Sequence, residues 1–348
     1  MRAWTVRPGE AGSAAIRDID TAPGTGDVVV ETIAVGVCGT DKEITSGEYG
    51  EAPAGDDVLV LGHESLGRVV EAPSDSHLAP GDLVVGIVRR PDPVPCANCA
   101  VGEWDMCRNG QYTERGIKGA HGYGAEQYRI ESDFAVPLAP SLAEVGVLLE
   151  PTTVVAKAWE HIEYIGRRAH WEPKTVVVTG AGPIGLLAAL LGVQRGLEVH
   201  VTDIVTTGPK PKLVADLGGT YHAKPASEIG LAPDIVIECT GVAPVIEDAL
   251  TLSGNDGVTC LTGVSSSGRQ RTIDLGGFNR EVVLQNDTVF GSVNANRRHY
   301  EAAAAALADA DVDWLGRLIT RRVPIDRFAD GLDRRPDDVK VILEFQAG

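Results

Sequence analysis

The hydrophobic pattern changes character once along the chain. Residues 1–150 carry short apolar runs cut by Gly and Pro, such as Val28–Val30, Leu59–Leu61, Arg68–Val70 and Asp82–Gly86. Short β-rich runs bounded by turn residues predict strands, and few stretches there repeat with the 3.6-residue period of a helix. From about Glu150 the pattern lengthens. Val154–Ile165 reads as a helix, Thr175–Thr179 as a buried strand, Leu186–Arg195 as a helix and Glu198–Thr202 as the next strand. Asp234–Glu238, Gly257–Leu261 and Thr288–Gly291 are further strands. Strand and helix alternating at this interval predict a parallel, doubly wound sheet. An Ala-rich helix over Arg298–Ala310 follows, and the tail, Val339–Phe345, returns to β character. A tail strand of that kind would rejoin the first domain. The expected class is α/β, with one domain at 1–153 completed by 299–348 and a second at 154–298.

Composition narrows the classes. At 348 residues the chain exceeds what one compact core holds, which supports two domains. No run of about 18 apolar residues occurs, so no membrane span is expected. The N-terminus, Met1–Val6, reads as a strand and lacks the apolar core of a signal peptide, so a cytoplasmic enzyme is expected. The formal charge of −18 argues against nucleic-acid or acidic-membrane partners. Only eight of the 31 basic residues are Lys. An acidic, Lys-poor surface fits a salt-loving source, but GC-rich codon usage alone also replaces Lys by Arg, and the source stays open. Six cysteines at this length are no disulfide framework.

Two groups of residues carry chemistry. The first is Cys38, Gly62-His63-Glu64 and Glu150-Pro151, a thiolate, an imidazole and two carboxylates. Zn²⁺ is a borderline-soft ion that takes S, N and O donors together, and it is catalytic when one position stays open. The second is Gly180-Ala181-Gly182-Pro183-Ile184-Gly185, set between an apolar strand and a helix, the context that a dinucleotide fingerprint needs. Gly180 allows the tight turn, Gly182 the approach of backbone to a pyrophosphate, and Gly185 close helix–strand packing. The phosphates would then sit on free N–H groups at the helix N-terminus. Asp203 ends the next strand, where a carboxylate holds the ribose hydroxyls and repels a 2′-phosphate, so NAD is favoured and NADP is possible. Lys210 and Lys212 could draw a phosphate, but around Thr207–Pro211 they read as a solvated turn.

Cys38-Gly39-Thr40-Asp41 with Leu61-Gly62-His63-Glu64 and the fingerprint resembles the zinc-dependent medium-chain alcohol dehydrogenase superfamily over essentially the whole chain. Its glucose (aldose) dehydrogenase branch is the most similar, through Cys38–Glu43, Glu114–Ile117, His121–Tyr123, Glu150-Pro151 with Lys157, and Gly291–Asn294. The resemblance implies a GroES-like catalytic domain beside a Rossmann domain. It implies catalytic zinc ligands Cys38 and His63, with Glu64 and Glu150 around the ion, one of them exchanging with water or substrate. Thr40 would contact the substrate hydroxyl and pass its proton outward. The usual relay histidine three residues on is Glu43 here, so the end of that relay is open. Glu114 and Asn294 match positions that touch sugar hydroxyls or the nicotinamide end. Thr240-Gly241, Gly263-Val264 and Val293 match the loops of the nicotinamide end. Asn279 and Val154 stand where some glucose enzymes carry other sugar-binding groups, which leaves the identity of the sugar open.

Cys96, Cys99 and Cys107 form C-x2-C-x7-C. The superfamily's structural zinc lobe uses four cysteines, and position 93, the place of the first, is Pro. Asp92 is one residue away, which makes a Cys3Asp site the expectation against a lobe that has lost its metal. Cys239 and Cys260 fall in core strands as buried thiols. The expected activity is oxidation of an aldose at C1 by NAD(P)⁺, giving the lactone. The alternatives are oxidation of a non-anomeric hydroxyl of a polyol, cyclitol or secondary alcohol, or a non-catalytic superfamily member. A homodimer or homotetramer is expected, with the edge strand Thr288–Gly291 as one surface that could pair with its symmetry mate.

Overall fold

In a computed structural model, residues 1–265 and 270–345 are described. The chain divides into two compact units, Met1–Glu150 with Ala295–Gly348, and Pro151–Asn294.

The first unit is built on one long strand, Val28–Val37, whose apolar positions are buried almost throughout. It pairs antiparallel with Glu64–Glu71 on one side and with the tail strand Lys340–Glu344 on the other. Register shifts between Val29/Val30 and Thr32/Ala34 bend it, as bulges do. The sheet runs Ala135–Leu138, Leu83–Gly86, Glu64–Glu71, Val28–Val37, Lys340–Glu344, Ile319–Pro324, and Gln127–Ile130 also pairs with the central strand. Trp4, Val30, Val35, Leu61, Tyr123, Tyr128 and Leu343 fill the core. The tail therefore rejoins the first unit, as its β character predicts, and it brings a buried Lys340 with it.

The second unit holds six parallel strands in the order Thr220–His222, Glu198–Thr202, Thr175–Thr179, Ile235–Glu238, Val258–Leu261, Thr288–Gly291. The order reverses between Thr175–Thr179 and Ile235–Glu238, and open α/β sheets bind ligands at such a switch point. Val176–Val178 and Ile235–Ile237 are buried on both faces, hence the continuous apolar runs in the sequence. Thr288–Gly291 lies at the sheet edge. Ahead of it, helix Leu275–Gln285 leaves Leu275, Val283 and Leu284 exposed.

Three details depart from the sequence reading. Helix Leu149–Gly166 begins before Val154, since Pro151 is tolerated in a first helical turn. Strand Thr220–His222 was not expected; it is a three-residue edge with only partial burial. The solvated turn at Thr207–Pro211 is corrected. Pro209 starts a helix, Pro209–Asp216, and its first turn buries Lys210. Lys212 alone is solvated, paired with Asp216 at 2.9 Å. No described helix is long and apolar enough to cross a membrane.

Candidate active site

Strand Val28–Val37 delivers Cys38 to the N-terminus of helix Gly39–Thr45. The Cys38 sulfur accepts the Thr40 amide at 3.3 Å, and the Cys38 amide donates to Asp41 Oδ2 at 2.9 Å, a reciprocal cap that fixes both side chains. His63 follows Gly62, whose φ of 86° a side chain would strain, in the turn between Leu59–Val60 and Glu64–Glu71. That turn brings His63 Nε2 to 3.1 Å from Cys38 Sγ, and His63 Nδ1 stands 3.5 Å from Asp41 Oδ1. Ligand atoms of Cys38, Asp41 and His63 all lie within 4.8 Å of one another.

The four expected ligands are not equivalent. Glu64 is buried against Gly36 and ion-paired with Lys340, so its carboxylate lies outside the close Cys38–Asp41–His63 group. Burial pushes the Glu150 carboxyl up to about 7; Glu64 and Asp41 add to the rise, while His63 and Lys340 oppose it. Burial alone would lower the His63 imidazole, yet the charges of Cys38 and Asp41 outweigh it and hold it well above its usual value. A thiol, an imidazole and crowded buried carboxylates with few cations among them form a donor set that a divalent ion relieves. The residues present fit Zn²⁺.

Glu114 is buried on strand Thr113–Arg115, which pairs with Arg89–Arg90. The turn after it packs on the metal site: a Cβ on Gly116 would come 2.9 Å from the Gly62 carbonyl oxygen. Thr40 is half-buried, and Glu43 is exposed on the same helix.

In the lobe, Cys96, Cys99 and Cys107 also offer sulfurs within 4.8 Å of one another. Asp92 is buried, with Oδ2 4.0 Å from Cys107 Sγ, outside that tight trio but beside it. Backbone N–H groups of Arg108 and Cys99 bring the Cys96 thiol down to about 6, while burial pushes Cys99 up to about 11. N–H groups aimed at a sulfur stabilise a thiolate, the form a metal binds.

In the second unit, strand Thr175–Thr179 ends in Gly180, whose φ is 88°, and Gly182 caps helix Pro183–Gln194 with Pro183 at its first position. A Cβ at Gly185 would lie 1.8 Å from the Gly180 oxygen, whereas one at Gly182 would meet nothing within 4 Å. The first glycine contact is packing; the second is an open approach to free helix N–H groups beside Ile184, and it fits a dinucleotide phosphate. Asp203 Oδ2 accepts the Ala181 amide at 2.8 Å and pairs with Lys210 Nζ at 2.9 Å. Burial raises this carboxyl, but the Lys210 and Ala181 bonds outweigh it and hold it below the usual range.

Thr240 and Gly263 are drawn together by a residue that the sequence did not single out. Buried Glu238 accepts the Thr240 amide at 2.7 Å and the Gly241 amide at 3.2 Å, and its carbonyl takes the Gly263 amide at 3.1 Å. Val264 and Val293 are exposed, Asn294 has a φ of 64°, and the Val293 carbonyl accepts Lys157 Nζ at 3.0 Å. Asp41, Lys340, Glu238 and Arg89 were all missed. Only Asp41 had a local signal, its place at the third helical position after Cys38.

A β unit with a thiolate–imidazole metal site at the end of its central strand, and a parallel unit with a glycine phosphate turn, define a zinc-type medium-chain dehydrogenase. The chain belongs to the glucose dehydrogenase family of that class. It matches the glucose dehydrogenase C-terminus model over residues 143–345 and the alcohol dehydrogenase GroES-like domain over residues 24–140. It is 39% identical to a glucose 1-dehydrogenase of Methanocella arvoryzae across 100% of both chains, and 40% identical to glucose 1-dehydrogenase 1 of Caldivirga maquilingensis across 99% of each. Among solved structures, Haloferax mediterranei glucose dehydrogenase in complex with NADP, Zn and gluconolactone is similar, with a TM-score of 0.91, 33% identity and full coverage of both chains.

Proposed function

We propose that the chain oxidises glucose, or a closely similar aldose, at C1 to the lactone, with zinc held by Cys38 and His63 and with NAD⁺ or NADP⁺ as hydride acceptor. The observation that carries this reading is the 3.1 Å approach of Cys38 Sγ to His63 Nε2, backed by Asp41, with buried Glu64 paired to Lys340 and half-buried Glu150 within electrostatic reach of His63. When bound, Zn²⁺ supplies Lewis-acid chemistry that makes a coordinated hydroxyl acidic near neutral pH, and the nicotinamide supplies the hydride acceptor.

The chain's own residues do the rest. Asp41 fixes the ring orientation of His63 and leaves Nε2 toward the thiolate. Glu150, with its carboxyl raised to about 7, is suited to exchange between holding charge and holding a proton as substrate enters. Thr40, at the start of the helix, accepts the proton of the C1 hydroxyl and passes it outward. Glu114 accepts a hydrogen bond from a hydroxyl remote from C1, and Asn294 joins the sugar or nicotinamide contacts. The Gly182–Gly185 turn holds the pyrophosphate. Asp203 holds the adenosine ribose, which favours NAD⁺, while Lys210 beside it leaves NADP⁺ acceptable. Asp92 completes a second, structural zinc with Cys96, Cys99 and Cys107.

We also infer a homodimer or homotetramer, supported by the edge strand Thr288–Gly291 and the exposed Leu275, Val283 and Leu284 ahead of it. A monomer by light scattering at micromolar concentration would remove this. The activity is tested by assaying sugars and polyols with each cofactor and titrating the acid formed. Only C1 oxidation yields an aldonic acid after lactone hydrolysis.

A further inference from the structure

Arg89 is paired with Glu114 inside the first unit. Its side chain and that of Glu114 are 7% and 6% exposed, so the pair is withdrawn from water. Arg89 Nε and Nη2 both donate to Glu114 Oε1, at 3.2 and 3.0 Å. Its remaining nitrogen, Nη1, donates to the Asp105 carbonyl at 3.2 Å. The Tyr112 ring lies under the guanidinium, 3.6 Å from centroid to Cζ. A planar fork held by a carboxylate edge, a carbonyl and a ring face has no rotational freedom left. A carboxylate offers about four acceptor positions, and this arrangement concentrates the guanidinium on one oxygen of Glu114. The strand carrying Glu114 then turns against Gly62, the residue before His63.

We propose that Arg89 is the positioning residue for sugar recognition, holding Glu114 in the single orientation that reads a hydroxyl remote from C1. It acts on affinity and on the choice between sugar epimers, without touching the reacting carbon. Asp105 lies between Cys99 and Cys107, so the same guanidinium ties the cysteine lobe to the sugar site. The inference rests on the reading of Glu114 as a sugar contact, and the experiment separates the two.

Full-length, zinc-loaded Arg89→Lys, Glu114→Gln and the double variant are assayed with glucose and with its C2 and C4 epimers, alongside NADPH binding by fluorescence and melting temperature. Lysine keeps the charge but cannot place two N–H groups on one oxygen. Arg89→Lys should raise the glucose KM about tenfold, well beyond its change in kcat, and flatten the ratios between epimers. NADPH affinity should stay put, and the effect should vanish in the Glu114→Gln background. Wild-type KM and epimer ratios with only a lower melting temperature would overturn the proposal. Glu114→Gln with wild-type KM and ratios would instead overturn the reading of Glu114. If Arg89→Lys fails to fold, Tyr112→Leu decides, since it removes the supporting ring without uncovering a charge. A raised KM there supports the proposal, and an unchanged one overturns it.

Discussion

Asp41 holds His63 from behind. Its Oδ1 lies 3.5 Å from His63 Nδ1, while its Oδ2 accepts the Cys38 amide at 2.9 Å. One fully buried carboxylate thus bonds the Cys38 backbone and stands against the His63 ring, beside both candidate zinc ligands. Replacing Asp41 by Asn keeps the size and one acceptor but removes the charge. Zinc affinity should fall about 10- to 100-fold, as for other partners behind a metal-bound histidine. Competition with a chromophoric chelator measures it, and an unchanged affinity would strip Asp41 of the role.

The Asp203–Lys210 pair makes cofactor choice a two-residue property. Asp203→Ser should weaken NAD⁺ and improve NADP⁺, a change of about 1–3 kcal/mol in relative kcat/KM, or roughly ten- to a hundred-fold. Lys210→Met should shift the ratio the other way, because it leaves the Asp203 charge unneutralised against a 2′-phosphate. Shifts of the same sign in both variants would mean that Asp203 does not face the ribose.

In the first unit, Asp338 pairs with Arg321 at 2.7 Å, with side chains 6% and 13% exposed, and joins the segment ahead of the tail strand to strand Ile319–Pro324. Burial raises the Asp338 carboxyl, but two Arg321 hydrogen bonds outweigh it and hold it below the usual value. A depressed carboxyl contributes stability that is full above its unfolded pKa of about 3.9 and is lost as pH falls through the lower folded value. Asp338→Asn should therefore cost about 1–3 kcal/mol near pH 7, with the gap to wild type closing below about pH 4. Denaturant melts across pH would show it. A gap that widens toward acid would contradict the sign.

Much of this was legible in the sequence, for physical reasons that also mark where legibility ends. The parallel sheet showed itself through continuous apolar runs at Val176–Val178 and Ile235–Ile237, because both faces are buried. The tail strand was read from its β character, and Gly180, Gly182 and Gly185 from their setting between strand and helix. Cys38 and His63 were visible as residue types. Their approach was not, since it depends on a helix cap at Cys38 and a positive φ at Gly62. The pattern around Lys210 misleads because Gly208-Pro209 suits a turn, although Pro at a first helical position starts helices equally well. Lys340 and Glu64 pair across 276 positions, and Arg89 meets Glu114 only through strand register. Neither relation has a local pattern to find. Residues 266–269 lie outside the described residues.

The most direct test follows metal content and glucose turnover together during chelation. The account predicts close to two zinc ions per chain, the first lost taking turnover with it and the second retained by the cysteine lobe. Zinc should restore activity, and each NAD(P)H formed should be matched by one equivalent of aldonic acid. Cys38→Ala should fold, hold one zinc and turn over no glucose. Full turnover of glucose by protein stripped of all metal, or oxidation that releases no acid, would contradict it.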